Sequence, residues 1–484
     1  MFESLLGKLR SIVGASHVSA APGDLSNYQY DGSADRALPQ IVVLPASASE
    51  IACVVAACND ARCPYVARGA GTGLSGGAIP EQGGVVISTA RLNRILEIDA
   101  TNRLAVVEPG VVNAHISEAV KDQGLHFVPD PSSQAACTIG GNVAENAGGL
   151  HCLAYGVTAH HVLGCEIVTP QADLVWLGGK TQDAPGYDLL GVFIGSEGTL
   201  GIVTKVVVKL MPVQQDRRTM LAAFPTVEQA SQSVSDIIAA GILPAALEMM
   251  DQLTTQAVEE FVHAGFPTEA GAVLIVELEG LAGTLKEVTA DVGDICVRNG
   301  GDIRHARDED ERHRIWLGRK SAFGAMGRLG ANYYVQDGVI PRTRLPEVVS
   351  EVIEIGRRYG LKIANVFHAG DGNLHPLIVF DDRVPGDYER VVAAGADILR
   401  ACVRHGGSIS GEHGIGMEKR DCMSLQYSRA DLALMTRLKN VFNPGGLCNP
   451  AKMFPTSRRC GESARTHASG ALTPEVAKAA GQAF

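Results

Sequence analysis

"RGAGTGLSGGAIPEQGGVVIS", Arg68 to Ser88, contains Gly71-Thr-Gly73-Leu-Ser-Gly76, a literal G-x-G-x-x-G. An acidic residue, Glu97, follows about twenty positions on, as a dinucleotide-binding βαβ unit requires. That fingerprint also needs a helix to open at its glycines. Here Pro80, Gly83 and Gly84 follow at once, then the apolar run "VVIS", so no helix starts there. The stretch therefore reads as a glycine loop between two short strands, not as a nicotinamide-binding Rossmann turn. Glycine makes up 55 of 484 residues and gathers at 69–84, 140–149 and 195–201. Glycine admits positive φ and lets backbone N–H groups approach an anion closely. Three such segments suit a long ligand with a diphosphate and a flat ring, although tight turns between short strands would need glycines as well.

Outward from this loop, the first 210 or so residues carry short Val/Ile runs separated by Gly-rich turns. Helical patterns interrupt them at 50–62, after the capping sequence Ser47-Ala-Ser-Glu50, and at 113–123, ending at Gly124. A second rhythm starts after Met211-Pro212: "TMLAAF", "ALEMMD" and "AVLIVELEG" alternate with long amphipathic helices, as in a helix-covered sheet. A last helix is expected near 429–442. The expected organisation is an N-terminal helix and lead-in (1–36), a ligand-binding α+β domain (37–214), an α+β substrate or cap domain with an antiparallel sheet (215–440), a C-terminal return (441–456) and a mobile tail (457–484).

The chain is 46% hydrophobic and 20% charged with a net charge of -11, and no Lys/Arg-rich block occurs, which argues against nucleic acid as a partner. No apolar run reaches the roughly 18–20 residues of a membrane span. Lys8 and Arg10 break the apolar N-terminus, so it does not read as a signal peptide; Phe2, Leu5, Leu6, Leu9, Ile12 and Val13 recur at helical spacing, as in an amphipathic helix packed on the body. The 11 cysteines include no Cys-x-x-Cys pair, and Cys53, Cys58 and Cys63 lie five apart, so the chain is expected to carry no iron–sulfur cluster and to work in a reducing cytoplasm.

Taken in order, "RGAGTGLSGG", "PDPSSQAACTIGGNVAENAGG" with "YGVT", and "GSEGTLGIVTKVVVKLMP" resemble the FAD-binding domain of the vanillyl-alcohol oxidase/p-cresol methylhydroxylase superfamily. "FHAGDGNLHP" and "SGEHGIGMEKR" resemble its D-2-hydroxyacid dehydrogenase branch, which includes the D subunit of glycolate oxidase, D-lactate dehydrogenases and D-2-hydroxyglutarate dehydrogenases. The resemblance implies an α+β fold with a two-part FAD-binding domain of the p-cresol methylhydroxylase type. It also implies the FAD contacts. Arg68, Gly69, Ala70, Gly71, Thr72, Gly73, Leu74, Ser75, Gly76 and Gly77 would wrap the pyrophosphate. Pro129, Asp130, Ser132, Thr138, Gly140, Gly141 and Asn142 would lie along the diphosphate, ribityl chain and ring, continued by Gly148, Tyr155, Gly156 and Val157. Glu197, Gly198 and Ile202 would frame the adenine end, and Asn449 would return to the flavin. The first loop has no histidine to which a flavin could be joined, so FAD is expected to be non-covalent.

"FHAGDGNLH", Phe367 to His375, reads as a hairpin turning at Asp371-Gly372, a preferred two-residue turn. Pairing outward opposes His368 to His375 on one face, where two imidazoles can share a metal. Glu412, in "ISGEHGIG", offers a third ligand, and the set suits Zn²⁺, with Mn²⁺ or Fe²⁺ as alternatives. A lone histidine is more often a packed side chain than a ligand; the case rests on two Gly-punctuated motifs together with the resemblance.

In the related branch an arginine in the segment matching "ERHRIWLGRKSAFGAMG" holds the substrate carboxylate, which implies Arg319. His413 is the candidate general base. Members that take a second carboxylate carry an Asn where this chain has Leu377 and a Lys near the place of Val335, so a small monocarboxylate, glycolate or D-lactate, is expected over 2-hydroxyglutarate. A metal-dependent hydrolase would leave the glycine segments unexplained, and a non-catalytic flavoprotein subunit would not need the His/Glu/Arg set. The resemblance further implies an iron–sulfur partner subunit and a second FAD-domain subunit, with at most peripheral attachment to the cytoplasmic membrane face.

Overall fold

The computed structural model describes residues 2–181 and 185–455, so the expected tail at 457–484 lies outside the described residues. The helix Phe2–Val13 buries Leu5, Leu6, Leu9 and Val13 against Ile51, Val54, Val55 and Cys58 of the helix Ala48–Asp60. That second helix starts two residues earlier than 50–62 because Ser47 caps it. Ser47 Oγ accepts from the Glu50 amide at 3.1 Å, and the Glu50 carboxylate accepts from the Ala46 amide at 2.7 Å. The expected helix over 113–123 is α-helical only through Val120; a 3₁₀ turn, Lys121–Gln123, then ends at left-handed Gly124.

Two small sheets, with a two-stranded pair of Leu125–His126 and Met211–Pro212, build the FAD-type half. The first has the order Val18–Ser19, Ile41–Val43, Val85–Ser88, Tyr65–Arg68, and its last three strands run parallel. Parallel neighbours need a crossover, and the helix Ala48–Asp60 supplies it. The lead-in therefore belongs to this half, since Val18–Ser19 extends its sheet. The second sheet is antiparallel, in the order Ile95–Asp99, Leu104–Val107, Ile202–Lys209, Val162–Val168, Leu174–Gly178. Val107, Ile167 and Val206 pack there under Ile139 and Val143 of the short helix Ile139–Glu145. Tyr65–Arg68 leads directly into the glycine loop, and no helix follows it; the next element is the strand Val85–Ser88.

An eight-stranded antiparallel sheet forms the cap. Its path is Asp302–His305, Asp216–Phe224, Ala272–Gly280, Ala246–Asp251, Lys362–His368, Asn373–Phe380, Asn332–Val335, with Gly338–Val339 also on Asn373–Phe380. Side chains alternate between its faces. Met220, Ala222, Phe224, Phe367 and Ile378 face four long helices, Val227–Ala239, Ala282–Arg298, Leu345–Tyr359 and Asp387–Arg404. Leu221, Ala246, Met250, Val366 and Leu377 face the helices Gln252–Val262 and Glu309–Lys320, and Leu150 of the FAD-type half joins that cluster. Parity then places Glu248, His368 and His375 on this second face, toward the other half of the molecule. After the helix Arg429–Phe442 the chain returns to the first sheet: the Tyr65 amide donates to Leu447 O at 2.9 Å and the Asn449 amide to Tyr65 O at 2.8 Å.

Candidate active site

A cavity of about 390 Å³ opens between the two halves. Its wall contains every residue proposed from the sequence to touch FAD except Ser75, Gly76, Pro129, Asp130, Tyr155, Gly156 and Val157; Glu412 and His413 line it too. The exceptions are engaged elsewhere. Ser75 O accepts from the Met417 amide at 2.8 Å, and Gly76, at φ +79°, has Met417 against it. Asp130 accepts from His151 Nδ1 at 2.8 Å, and Tyr155 Oη donates to Glu279 at 2.8 Å across the two halves.

The wall is built to take a ligand along its backbone. A Cβ on Gly69 would lie 2.2 Å from Thr138 Oγ1, and one on Gly140 2.6 Å from Pro109, so neither loop admits a side chain. Arg68 Nη1, Thr138 Oγ1, Asn142 Nδ2 and Asn449 Oδ1 are buried here without hydrogen-bond partners. Buried polar atoms are normally paired, so such a set along one cavity fits a large polar cofactor such as FAD. Asn449, at φ 42°, ties the walls together by donating to Gly77 O at 2.9 Å and Glu197 O at 2.6 Å.

The hairpin differs from the expected one. His368 pairs with Asn373, and His375 with Val366, so the turn spans Ala369 to Gly372 rather than two residues. Gly372 adopts φ +80°, and its amide donates to His368 O at 3.1 Å. His368 and His375 are thus diagonal neighbours, not opposed. The register moves by two, which preserves parity, so both rings still share a face with centroids 4.9 Å apart.

Glu412 closes the set. Its Oε1 lies 3.1 Å from His368 Nε2 and 3.2 Å from His375 Nε2. Tetrahedral ligands about 2.0–2.1 Å from one ion stand roughly 3.3 Å apart, so the donor set fits a divalent cation. Behind it, Glu248 accepts from His368 Nδ1 at 2.9 Å, the carboxylate support typical of metal-bound imidazoles. Burial disfavours a charge on His368, but Glu248 and Glu412 outweigh it and hold the imidazole well above its usual range.

His413 stacks on His375, with ring centroids 4.8 Å apart and planes 4° from parallel. Burial pushes His413 down to about 4 against the pull of Asp337, and its Nδ1 has no partner. A neutral imidazole at the cavity wall can accept a proton. Asp337 holds the loop that carries it: it accepts from the amides of Gly411 at 3.0 Å and His413 at 2.9 Å, from Ser410 Oγ at 2.7 Å and from Lys419 Nζ at 3.0 Å.

Arg319 is fully buried and does not line the cavity. Its Nη2 stands 2.6 Å from Glu248 Oε2, but not in hydrogen-bonding orientation, and Nε, Nη1 and Nη2 all lack acceptors. The neighbouring cation Lys320 lines the cavity, with Phe323 and Tyr333. The sequence reading missed Glu248 and Asp337. Glu248 carries a signal, an acidic residue at an inward position of the apolar strand "ALEMMD"; Asp337-Gly338 reads only as a turn.

Glycine loops shaped for a dinucleotide, facing a His/Glu cluster and a neutral histidine, define a flavin-dependent oxidoreductase of two-domain α+β type. The family profile for the FAD binding domain matches residues 39–178, and that for the C-terminal domain of FAD-linked oxidases matches residues 213–453. The chain is 48% identical to glycolate oxidase subunit GlcD of Escherichia coli K12, over 96% of this chain and 93% of that protein. It is 40% identical to the Bacillus subtilis GlcD over 89% and 93%, and 31% identical to the D-lactate dehydrogenase of Archaeoglobus fulgidus over 88% and 95%. The chain belongs to this family of FAD-linked oxidases, with the GlcD subunits and D-lactate dehydrogenases. Its fold matches p-cresol methylhydroxylase at 17% identity and TM-score 0.79, covering 93% of this chain and 96% of that one. A 4-ethylphenol oxidase from Gulosibacter chungangensis matches at 17% and TM-score 0.78, covering 94% and 97%.

Proposed function

We propose that this protein oxidises glycolate or D-lactate to the 2-oxo acid. The observation that carries the reading is the place of His413, its Nδ1 unpartnered, on the wall of the FAD-type cavity and stacked on His375 of the His368–His375–Glu412 cluster. When bound there, FAD would accept the hydride of the substrate Cα, and a divalent metal, zinc by its ligand chemistry, would polarise the hydroxyl. The chain's own residues do the rest. Arg319 is the guanidinium assigned to the substrate carboxylate: its N–H donors are unmatched, but it stands behind the cavity wall beside Glu248, so a side-chain movement must bring the two together. His413 takes the hydroxyl proton. Asp337 fixes the loop carrying Glu412 and His413, and Glu248 orients His368. Because Glu197 is bound to the 415–416 amides beside His413, it belongs with the ring end of the cofactor rather than the adenine end.

Substrate size follows from the strand beyond His375. Leu377, two residues on and on the same face, lies opposite Val335, and both are buried. A second carboxylate directed there would be left unpaired, at a cost of several kcal/mol. The flavin is held without a covalent bond, and acid denaturation should release it. Electrons pass to a partner subunit carrying iron–sulfur clusters, in a complex that also holds a second FAD-domain chain. Supporting this, the GlcD relatives are named as subunits, and no helix among the described residues is long and apolar enough to cross a membrane. The deciding experiment is anaerobic bleaching of the visible flavin absorbance by a panel of 2-hydroxy acids. Rapid bleaching by glycolate or D-lactate, with slow bleaching by 2-hydroxyglutarate, is expected; no bleaching by any of them refutes the assignment.

A further inference from the structure

Glu145 is a buried acid that the mechanism above leaves unused. It ends the helix Ile139–Glu145 and lines the cavity. Two residues without side chains confine its carboxyl. A Cβ on Gly77 would come 2.4 Å from its Oε1, and one on Gly414 would come 2.7 Å from its Oε2 and 2.9 Å from Glu197 Oε1. Gly414 adjoins His413, so this carboxyl stands at the chemical end of the cavity. Its Oε2 is buried and has no hydrogen-bond partner.

The groups facing it disfavour its charge. Glu197 is nearest, and its two oxygens accept from the amides of Ile415 at 2.7 Å and Gly416 at 2.6 Å. Asp31 adds further negative charge. The cations on this side are committed elsewhere: Lys452 Nζ donates to Ile79 O at 2.7 Å, and Lys419 Nζ to Asp337 at 3.0 Å. Burial, then Glu197 and Asp31, drive the Glu145 carboxyl well above the carboxylate range, against the weaker pull of Lys452 and Lys419. Of two neighbouring carboxyls that cannot both ionise cheaply, the one without amide donors keeps the proton.

We propose that Glu145 is a proton-holding residue of the flavin site: a carboxylic acid at the ring end of the cavity that, by keeping its proton, puts no like charge beside the reduced cofactor. This rests on the reading that FAD occupies the cavity with its ring toward His413. Oxidation of a 2-hydroxy acid sends a hydride to the cofactor and a proton to His413. The cofactor thus gains two electrons and one proton, a net negative charge beside Glu145. A neutral acid tolerates that charge, whereas an ionised one opposes it. Reduction therefore raises the proton affinity of Glu145, and by linkage the loss of that proton makes reduction harder.

The test is the flavin midpoint potential, measured against pH by chemical reduction with a reference dye, without substrate. In the wild-type chain, above the ordinary carboxylate range, the reduction equilibrium should fall by an additional tenfold per pH unit, about 30 mV for a two-electron couple. Glu145→Gln, which mimics the neutral acid at the same volume, should match the wild type at the acid end and lack the added slope. Glu145→Asp, still ionisable, should retain a steepened segment. An unchanged slope in Glu145→Gln overturns the proposal, as does loss of flavin from both variants, which would make the residue a packing element. A wild-type chain that holds no flavin would instead sink the cofactor reading itself, so the two failures are distinguishable.

Discussion

Glu248→Gln tests the least visible part of the site. Glu248 lies between two partners, accepting from His368 Nδ1 at 2.9 Å and standing 2.6 Å from Arg319 Nη2. Glutamine keeps the volume and removes the charge, with two separable consequences. His368 loses the carboxylate that sets its tautomer and ring angle, and such supporting partners are commonly worth about 10–100-fold in metal affinity, roughly 1.4–2.7 kcal/mol. Arg319, fully buried, is left without an anion, and removing one partner of a buried pair costs about 3–5 kcal/mol. Metal affinity, from competition with a chelator, should fall by one to two decades, and the midpoint of chemical denaturation should drop. Adding Arg319→Met should recover part of the stability, because no unpaired charge remains, but none of the metal affinity. A single variant with wild-type metal affinity refutes Glu248 as the support of a metal ligand. A double variant no more stable than the single one refutes the unpaired-charge account.

His413→Ala should lower the rate of flavin reduction by glycolate about 10²–10⁴-fold in stopped flow while the protein still purifies with flavin; near-normal reduction rejects the base. His151 joins the halves by bonding Asp130 at 2.8 Å and Glu277 at 3.3 Å. Burial opposes its charge, but Asp130 and Glu277 raise its pKa from 6.5 to about 10. The raised value means its contribution to stability is full below about pH 6.5, declines as pH rises, and is gone above about 10. Denaturation midpoints across that window should converge with those of His151→Gln at the alkaline end, and parallel curves would exclude the bridge. Val335→Lys should improve catalytic efficiency on 2-hydroxyglutarate relative to glycolate by at least about tenfold, since a cation then faces the added carboxylate; an unchanged ratio removes Val335 and Leu377 from substrate choice.

Local pattern by itself determined much of this protein. The glycine segments, the breakers Pro80, Gly83 and Gly84 that exclude a Rossmann helix, the capped helix after Ser47, and the two histidine motifs all depend on neighbours a few residues apart. Such features are written in turn chemistry and periodicity, which short stretches of chain carry alone. Tertiary structure alone decided the remainder. The register of the 368–375 hairpin depended on a four-residue turn that fits against Ile340 O, where a Cβ on Gly372 would lie 2.1 Å away. Glu248, Asp337 and Glu145 lie 120, 75 and 269 residues in sequence from His368, Glu412 and Gly414, the residues they support or face. What makes each of them part of the site is burial beside a distant charge, loop or cavity. That condition exists only once the antiparallel sheet has closed over the FAD-type half, because the electrostatics of a carboxyl group follow from what surrounds it in space rather than along the chain.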